Sequence, residues 1–190
     1  MGVDVKGEQR KRKCSVEEAA RNLRYLALED VRAQYNAQCI AVGHTSDDQA
    51  EEVLLRLIRG SGAAGLGGMS IRYGYVVRPL LFENKGDLRH YLHQQNIPYC
   101  DDSSNSVTRF LRNRIRHHLL PLLEDKYNPS MRESLLQSAS ILHTENSLLE
   151  ETTEAVFHTL CTEEDKKIVL KLPLFAKEHL AIRRRAVEKI

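Results

Sequence analysis

The sequence predicts an α/β fold: a partial parallel sheet early in the chain, followed by a mostly helical region. Three observations carry this. Residues 39–43, "CIAVG", form a short continuous apolar run, the pattern of a strand buried on both faces, as strands of parallel sheets are. Amphipathic segments flank that run, giving the order helix, buried strand, helix. Beyond residue 106 the apolar positions recur at helical spacing for about fifty residues.

The elements follow in order. Residues 15–35 read as a helix, with Ser15 and Glu18 as a capping box and Val16, Ala19, Leu23, Leu26 and Val31 as its apolar stripe. After the 39–43 strand, a second helix spans residues 46–59, again with a capping box, Ser46 and Gln49. "YGYVVRPLL" (73–81) reads as a strand running to Pro79, and 85–95 as a short helix. Residues 97–106, "IPYCDDSSNS", form a turn-rich loop. A helix over 107–118 meets Pro121, which lacks an N–H and so demands a kink or restart. The next helix is long, with Asn128 as cap and Pro129 in the first turn. Leu135, Ala139, Leu142, Leu149 and Val156 form its near-heptad seam. "IVLKLPLF" (168–175) alternates like a strand, and the final residues start a helix with no C-cap glycine. Both ends therefore read as cut.

Composition narrows the function classes. Apolar residues are 42% and charged residues 28%, and no apolar run nears the roughly 20 residues of a membrane span. The basic N-terminus has no apolar stretch behind it, so it is not a secretory signal. Cys14, Cys39, Cys100 and Cys161 are far apart, without zinc or cluster spacing, and read as reduced thiols of a cytoplasmic protein. Net charge is only +2, but basic residues gather in three islands: 6–13, 109–116 and 183–185. Such islands on a near-neutral chain suit a polyanionic partner, and equally suit solvated helix faces.

The densest chemistry lies in "AVGHTSDDQAEEVLLRLIRGSGAAGLGGM", residues 41–69. His44 follows a buried strand, and ligands of open α/β sheets bind at the carboxyl ends of strands. Asp48 lies four residues on, and Glu52 one helical turn further. This spacing lets an imidazole and a carboxylate converge on one ion or ligand. Helix physics gives Asp47 and Asp48 a second reading, since acids favour the positive end of a helix dipole. The glycines do not form a Walker A loop, because no G-K-[ST] follows; Gly60 reads as a helix C-cap and the remainder as a mobile turn. Further on, Arg109, Arg112 and Arg116 fall on one face of their helix, with Arg114 to the side. Arginine forks suit phosphate. The alternative is pairing with Asp101, Asp102 or Glu124.

Together, "SVEEAARNLRY", "GHTSDDQAEEVLLRLIRGSGAAGLGGM", "VRPLL" and "DDSSNSVTRFLRNRIRHHLLPLL", in that order, resemble the tRNA(Ile)-lysidine synthases, which are N-type ATP pyrophosphatases of the PP-loop superfamily. The resemblance is dense over residues 16–129 and looser beyond. It implies a Rossmann-like sheet of the adenine nucleotide alpha hydrolase type. It divides the chain into 1–105, the C-terminal part of the ATP pyrophosphatase domain; 106–160, a helical tRNA-contacting region; and 161–190, the start of a C-terminal domain. It implies ligation of lysine to C2 of the wobble cytidine of tRNA(Ile) through an adenylated tRNA, with ATP and Mg²⁺ as cofactors. The partners would be tRNA(Ile) with a CAU anticodon and free L-lysine, with no membrane; the resemblance also admits a homodimer. By the same resemblance His44 and Asp48 are catalytic, and Asp48 is also the Mg²⁺ ligand. Arg21, Arg24, Asp47 and Glu52 bind substrate or nucleotide, and Arg109, Arg112, Arg114 and Arg116 contact tRNA. The family's S-G-G-x-D-S phosphate loop does not occur in these 190 residues. The expectation is a fragment without ATP turnover of its own. A non-catalytic tRNA-binding remnant and another PP-loop enzyme, such as a thiolase, are the alternatives.

Overall fold

The computed structural model describes residues 4–12, 16–100, 111–164 and 167–190. Their contacts divide into two compact units, Met1–Thr45 with Ser70–Asn84, and Ser46–Met69 with Lys85–Ile190.

The first unit opens with two helices packed on each other, α1 (Val5–Arg12) and α2 (Val16–Gln34). α1 lies in the basic segment that the sequence left without structure; Glu8 and Arg12 pair along it at i, i+4 spacing. Ser15, the expected cap of α2, lies outside the described residues. α2 buries Ala19 completely. Asn36 adopts φ 50°, which turns the chain toward β1 (Ile40–Ala41). Arg32 fixes this corner. It forks onto Glu29, donates to the Ala37 carbonyl at 2.8 Å, and lies 3.8 Å from the Tyr75 ring centre. The Glu29 hydrogen bond raises the Arg32 pKa and lowers that of Glu29.

The sheet of this unit has the order β1-β3-β2, with β2 at Arg72–Tyr73 and β3 at Val76–Val77. β1 and β3 are parallel, while β2 and β3 form an antiparallel hairpin. The single strand read from "YGYVVRPLL" is thus a hairpin arm. Gly74, at φ 56°, supplies the positive φ that a two-residue hairpin turn requires. Among the described residues the expected parallel sheet is represented by this one short strand pair. The expected two-sided burial of residues 39–43 is not observed, for Ile40 is half-buried and Ala41 exposed. Among the described residues β1 hydrogen-bonds on one edge only, to β3, and it packs within its unit against α2.

The second unit is mostly helical. α3 (Ser46–Ile58) ends at Gly60, φ 78°. Gly60 N–H donates to Leu57 O and Ser61 N–H to Arg56 O, the paired bonds of a Schellman cap. A short α4 (Ala63–Leu66) follows, then α5 (Lys85–Gln94) and α6 (Leu111–Arg114). Residues 115–119 form a π-helical turn that runs directly into α7 (Leu120–Lys126). Leu120 N–H reaches back five residues to Ile115 O. Pro121 is the cause: it has no N–H, and its ring crowds the carbonyl four residues back. The expected break is therefore a widened turn within a continuous helix.

α8 (Met131–Leu160) is 30 residues long, about 45 Å at 1.5 Å per residue. Its cap position is Ser130 rather than Asn128. Asn128 acts just before, its Oδ1 accepting Ser130 N–H at 3.0 Å and its O accepting Met131 N–H at 2.9 Å. α3, α4, α7 and α10 (Leu180–Glu188) all pack on α8. Leu54, Leu55, Ile115 and Leu120 form the main buried cluster, flanked by Leu111, Leu119, Leu123 and Leu135. A second cluster joins Leu160, Cys161 and Ala186. β4 (Cys161–Glu164) and β5 (Lys167–Leu170) pair antiparallel. The strand read over 168–175 ends at Leu170, and Leu172–Phe175 form a helical turn, α9. Pro173 cannot donate to a ladder but suits a first helical turn.

Candidate functional site

Among the described residues the site candidates group by unit. In the first unit lie Arg21, Arg24 and His44. Arg21 and Arg24 are exposed on α2, Arg21 with its guanidinium 5.6 Å from the Tyr25 ring. His44 is half-buried, three residues beyond β1.

The second unit builds a cluster of acids and arginines around the first turns of α3. Asp48, Glu51 and Glu52 occupy one face of that helix, since i+3 and i+4 neighbours stack one turn above. Arg112 and Arg116, four apart across α6 and the π-turn, meet that face. Arg116 Nε donates to Glu51 Oε1 at 2.6 Å and its Nη2 to Oε2 at 2.9 Å. Arg112 Nε donates to Glu51 Oε2 at 3.1 Å. Asp48 Oδ1 accepts from Arg116 Nη2 at 3.0 Å and Arg112 Nη2 at 3.3 Å, with Lys85 Nζ at 3.9 Å. The Glu51 side chain is 1% exposed, against 24% and 19% for Arg112 and Arg116. A carboxylate so buried requires paired, hydrogen-bonded cations, and two guanidinium forks provide them. Burial alone would lower the Arg116 pKa; the Glu51 hydrogen bond and the charges of Glu51, Asp48 and Asp47 more than offset this and raise it.

The neighbouring acids are also engaged. Asp47 Oδ1 accepts from Arg132 on α8 at 2.9 Å, and its Oδ2 accepts the first backbone N–H of α5, that of Lys85, at 2.8 Å. Arg132 also holds Glu124 at 2.7 Å. Glu52 accepts from Arg56 Nε at 2.7 Å. Arg56 Nη1 in turn donates to the carbonyls of Gly65 and Gly68, at 2.7 and 2.9 Å. Gln49 closes the same segment, exchanging two hydrogen bonds with the Met69 backbone at 2.7 and 3.0 Å. The glycine-rich stretch, read as a mobile turn, is thus pinned on both sides. Two of its carbonyls face a cation, whereas a phosphate loop presents N–H groups. A Cβ at Gly67 would stand 3.1 Å from His143 Cα, so this glycine permits α4 to approach α8.

Arg114 is different. It is exposed and forms no ion pair among the described residues. Arg109 lies outside the described residues, as do Asp101 and Asp102, two of the three acids considered as arginine partners. The third, Glu124, pairs with Arg132.

The donors around Asp48 do not suit a Mg²⁺ ion. Its Oδ1 already accepts from two guanidinium groups, and three cations lie within 3.9 Å. Among the described residues no group of three His, Cys, Asp or Glu side chains could hold a metal. No helix of the described residues is long and apolar enough to cross a membrane.

Glu51, Arg132 and Lys85 were not singled out by the sequence reading, and Gln49, read as half of a capping box with Ser46, has its amide on the Met69 backbone instead. The signal for Glu51 was present. In the H-x-x-D-D-x-x-E block counted from His44, the closing acid is Glu51, not Glu52, and it lies one helical turn from Asp48. Arg132 and Lys85 gave no comparable signal, because their acid partner Asp47 is 85 and 38 residues away.

Known proteins place these features in a family. Curated relatives named tRNA(Ile)-lysidine synthase include one from Porphyromonas gingivalis, 41% identical over 152 residues, covering 80% of this chain and 33% of the relative. One from Geobacter sulfurreducens is 35% identical over 192 residues, covering 99% and 40% respectively. One from Gloeobacter violaceus is 37% identical over 183 residues, covering 91% and 54%. The chain thus spans between a third and about half of the length of these relatives. Residues 2–123 match the PP-loop domain, a fold of the adenine nucleotide alpha hydrolase type whose members bind ATP. That match covers more than half of the 190 residues, and the chain belongs to the PP-loop domain family.

Proposed function

We propose that these residues serve an ATP-dependent, tRNA-modifying ligase that joins lysine to C2 of the wobble cytidine of tRNA(Ile), through an adenylated tRNA, to give lysidine. The observation that carries this reading is the H-x-x-D-D-x-x-E block lying within the matched PP-loop domain, its Asp48 and Glu51 clamped by Arg112 and Arg116. The names of the relatives support the substrate assignment.

ATP would transfer AMP to the C2 carbonyl oxygen with pyrophosphate released, and the lysine amine would then form the C–N bond at C2 as AMP leaves with that oxygen. The 190 residues hold no S-G-G-x-D-S loop to cradle its phosphates. We therefore expect no ATP turnover from this chain alone. Mg²⁺ would serve phosphate charge, but the residues at Asp48 do not fit it.

The attacking amine of lysine is protonated at neutral pH, with an ordinary pKa of about 10.4, and must lose a proton. In this reading His44 is the proton acceptor, and Asp47, Asp48, Glu51 and Glu52, each held by a cation, serve to position. Asp48 then positions rather than reacts. Arg21 and Arg24, exposed on α2, are available to substrate or nucleotide. For tRNA we propose a division of labour. Arg114, exposed, meets the phosphate backbone, and Arg109 would extend this contact. Arg112 and Arg116 set the helix that presents Arg114, and reach tRNA only with their exposed edges.

The test is filter binding of a tRNA(Ile) transcript with a CAU anticodon across a salt series, together with ATP–pyrophosphate exchange. Binding whose log affinity falls with log salt at a slope of about −2 to −3, with no exchange, supports the proposal. No binding at low salt contradicts the tRNA assignment. Robust exchange contradicts the expectation that this chain alone turns over no ATP.

A further inference from the structure

Arg78 is buried, and among the described residues it differs from the part-buried arginines. Arg32, Arg56, Arg112, Arg116 and Arg132 each hold a carboxylate. Arg78 is 7% exposed, yet forms no ion pair among the described residues. Its side chain has one hydrogen bond among them, Nη1 to the Ser70 carbonyl at 2.8 Å. Its Nε is buried with no acceptor. A buried charge without a counter-ion is costly, and a buried donor without an acceptor adds to that cost. Such a cation persists where something anionic completes it.

Its place in the fold suits a ligand. Arg78 directly follows β3, whose parallel neighbour is β1, and Val42 N–H extends that ladder to Val77 O at 3.0 Å. His44 follows β1 two residues beyond Val42. Arg78 and His44 therefore leave the same carboxyl edge of this parallel pair, where α/β sheets bind ligands. The backbone there is fixed: Arg78 N–H donates to Ile71 O at 2.8 Å, and Pro79 follows.

We propose that Arg78 binds an oxyanion at this edge, a carboxylate or phosphate group of a small substrate, matched to the guanidinium fork. The identity of that substrate rests on the function proposed above, where two sources qualify: the carboxylate of free lysine and the phosphates of the nucleotide. The existence of the site does not rest on it.

Thermal melting of the 190-residue chain in a chloride buffer tests this, with L-lysine, cadaverine and inorganic pyrophosphate as probes. Cadaverine is lysine without the carboxylate. An anion at ten times its half-saturating concentration should raise the melting temperature of the unaltered chain by about 3–6 °C. A rise with L-lysine but not cadaverine assigns the carboxylate; a rise with pyrophosphate assigns the phosphate. Arg78→Met should melt no lower than the unaltered chain without ligand, and should lose the rise. Arg78→Lys, which keeps the charge without the fork, should retain a smaller rise. The proposal is overturned if no anion raises the melting temperature, or if Arg78→Met keeps the full rise. It is also overturned if Arg78→Met melts well below the unaltered chain without ligand, for the guanidinium would then be structural. None of these readouts involves tRNA, so failure here leaves the tRNA test standing.

Discussion

Replacing Glu51 by alanine removes the carboxylate that three hydrogen bonds from Arg112 and Arg116 converge on. Two guanidinium groups are then left facing each other with Asp48 as their remaining shared acid. Breaking a fully buried ion pair on one side costs about 3–5 kcal/mol. The arginine side chains are 24% and 19% exposed, so water offsets part of this, and about 3 kcal/mol is expected. For a chain of 190 residues this corresponds to a fall in melting temperature of about 6–12 °C. Urea unfolding followed by far-UV circular dichroism measures it. Glu52→Ala, one residue on, is the control, because its partner Arg56 is 30% exposed; about 1 kcal/mol is expected there. In a double-mutant cycle, Glu51→Ala and Arg116→Ala together should cost less than the sum of the singles by about 1–3 kcal/mol. A Glu51→Ala loss equal to that of Glu52→Ala, or strict additivity in the cycle, would refute the clamp.

Three further outcomes follow from the same contacts. Gly67→Ala places a methyl 3.1 Å from the His143 Cα, which is backbone and yields poorly; a loss of about 1–3 kcal/mol is expected in denaturant melts. Gln49→Ala leaves the N–H and C=O of Met69, a buried residue, without the amide that holds them, costing about 2–3 kcal/mol and raising proteolytic cleavage around residues 60–69. Glu154 on α8 pairs with Lys189, just past α10, and that hydrogen bond lowers its pKa from 4.5. A lowered carboxylate pKa stabilises above the ordinary value and loses that contribution as pH falls through the lowered one. Glu154→Gln should therefore melt slightly below the unaltered chain at pH 7, and the two curves should converge as pH falls below 4.5 toward the lowered value.

The legible parts of the fold were those with local causes. α2, α3 and α8 announce themselves through apolar spacing, and Gly60 ends α3 because only that conformation lets both Schellman bonds form. Pro121 was readable as a disturbance, but the π-turn that absorbs it depends on the helix continuing to pack through Ile115 and Leu120. The β1 region was misjudged because an apolar run states a preference for burial without saying what covers it. Ile168 to Phe175 alternated convincingly, yet Pro173 outweighed the alternation. In the candidate site, charge type was legible and pairing was not. Asp48 and Arg116 are 68 residues apart, and nothing local indicates that these acids and arginines would meet one another. The one local hint, the i+3 spacing from Asp48 to Glu51, pointed to the residue that proves most buried.

The proposed function divides one short helical segment: Arg116 would serve the fold and Arg114 the polyanion. The direct measurement compares Arg114→Ala with Arg116→Ala for melting temperature and for tRNA(Ile) binding across salt. Arg114→Ala should leave stability within about 0.5 kcal/mol and make the log affinity–log salt slope shallower by about 1. Arg116→Ala should lower the melting temperature by several degrees, about the amount lost on removing Glu51. The opposite pattern, with Arg114→Ala unfolding the chain and Arg116→Ala changing only the salt slope, would contradict the account.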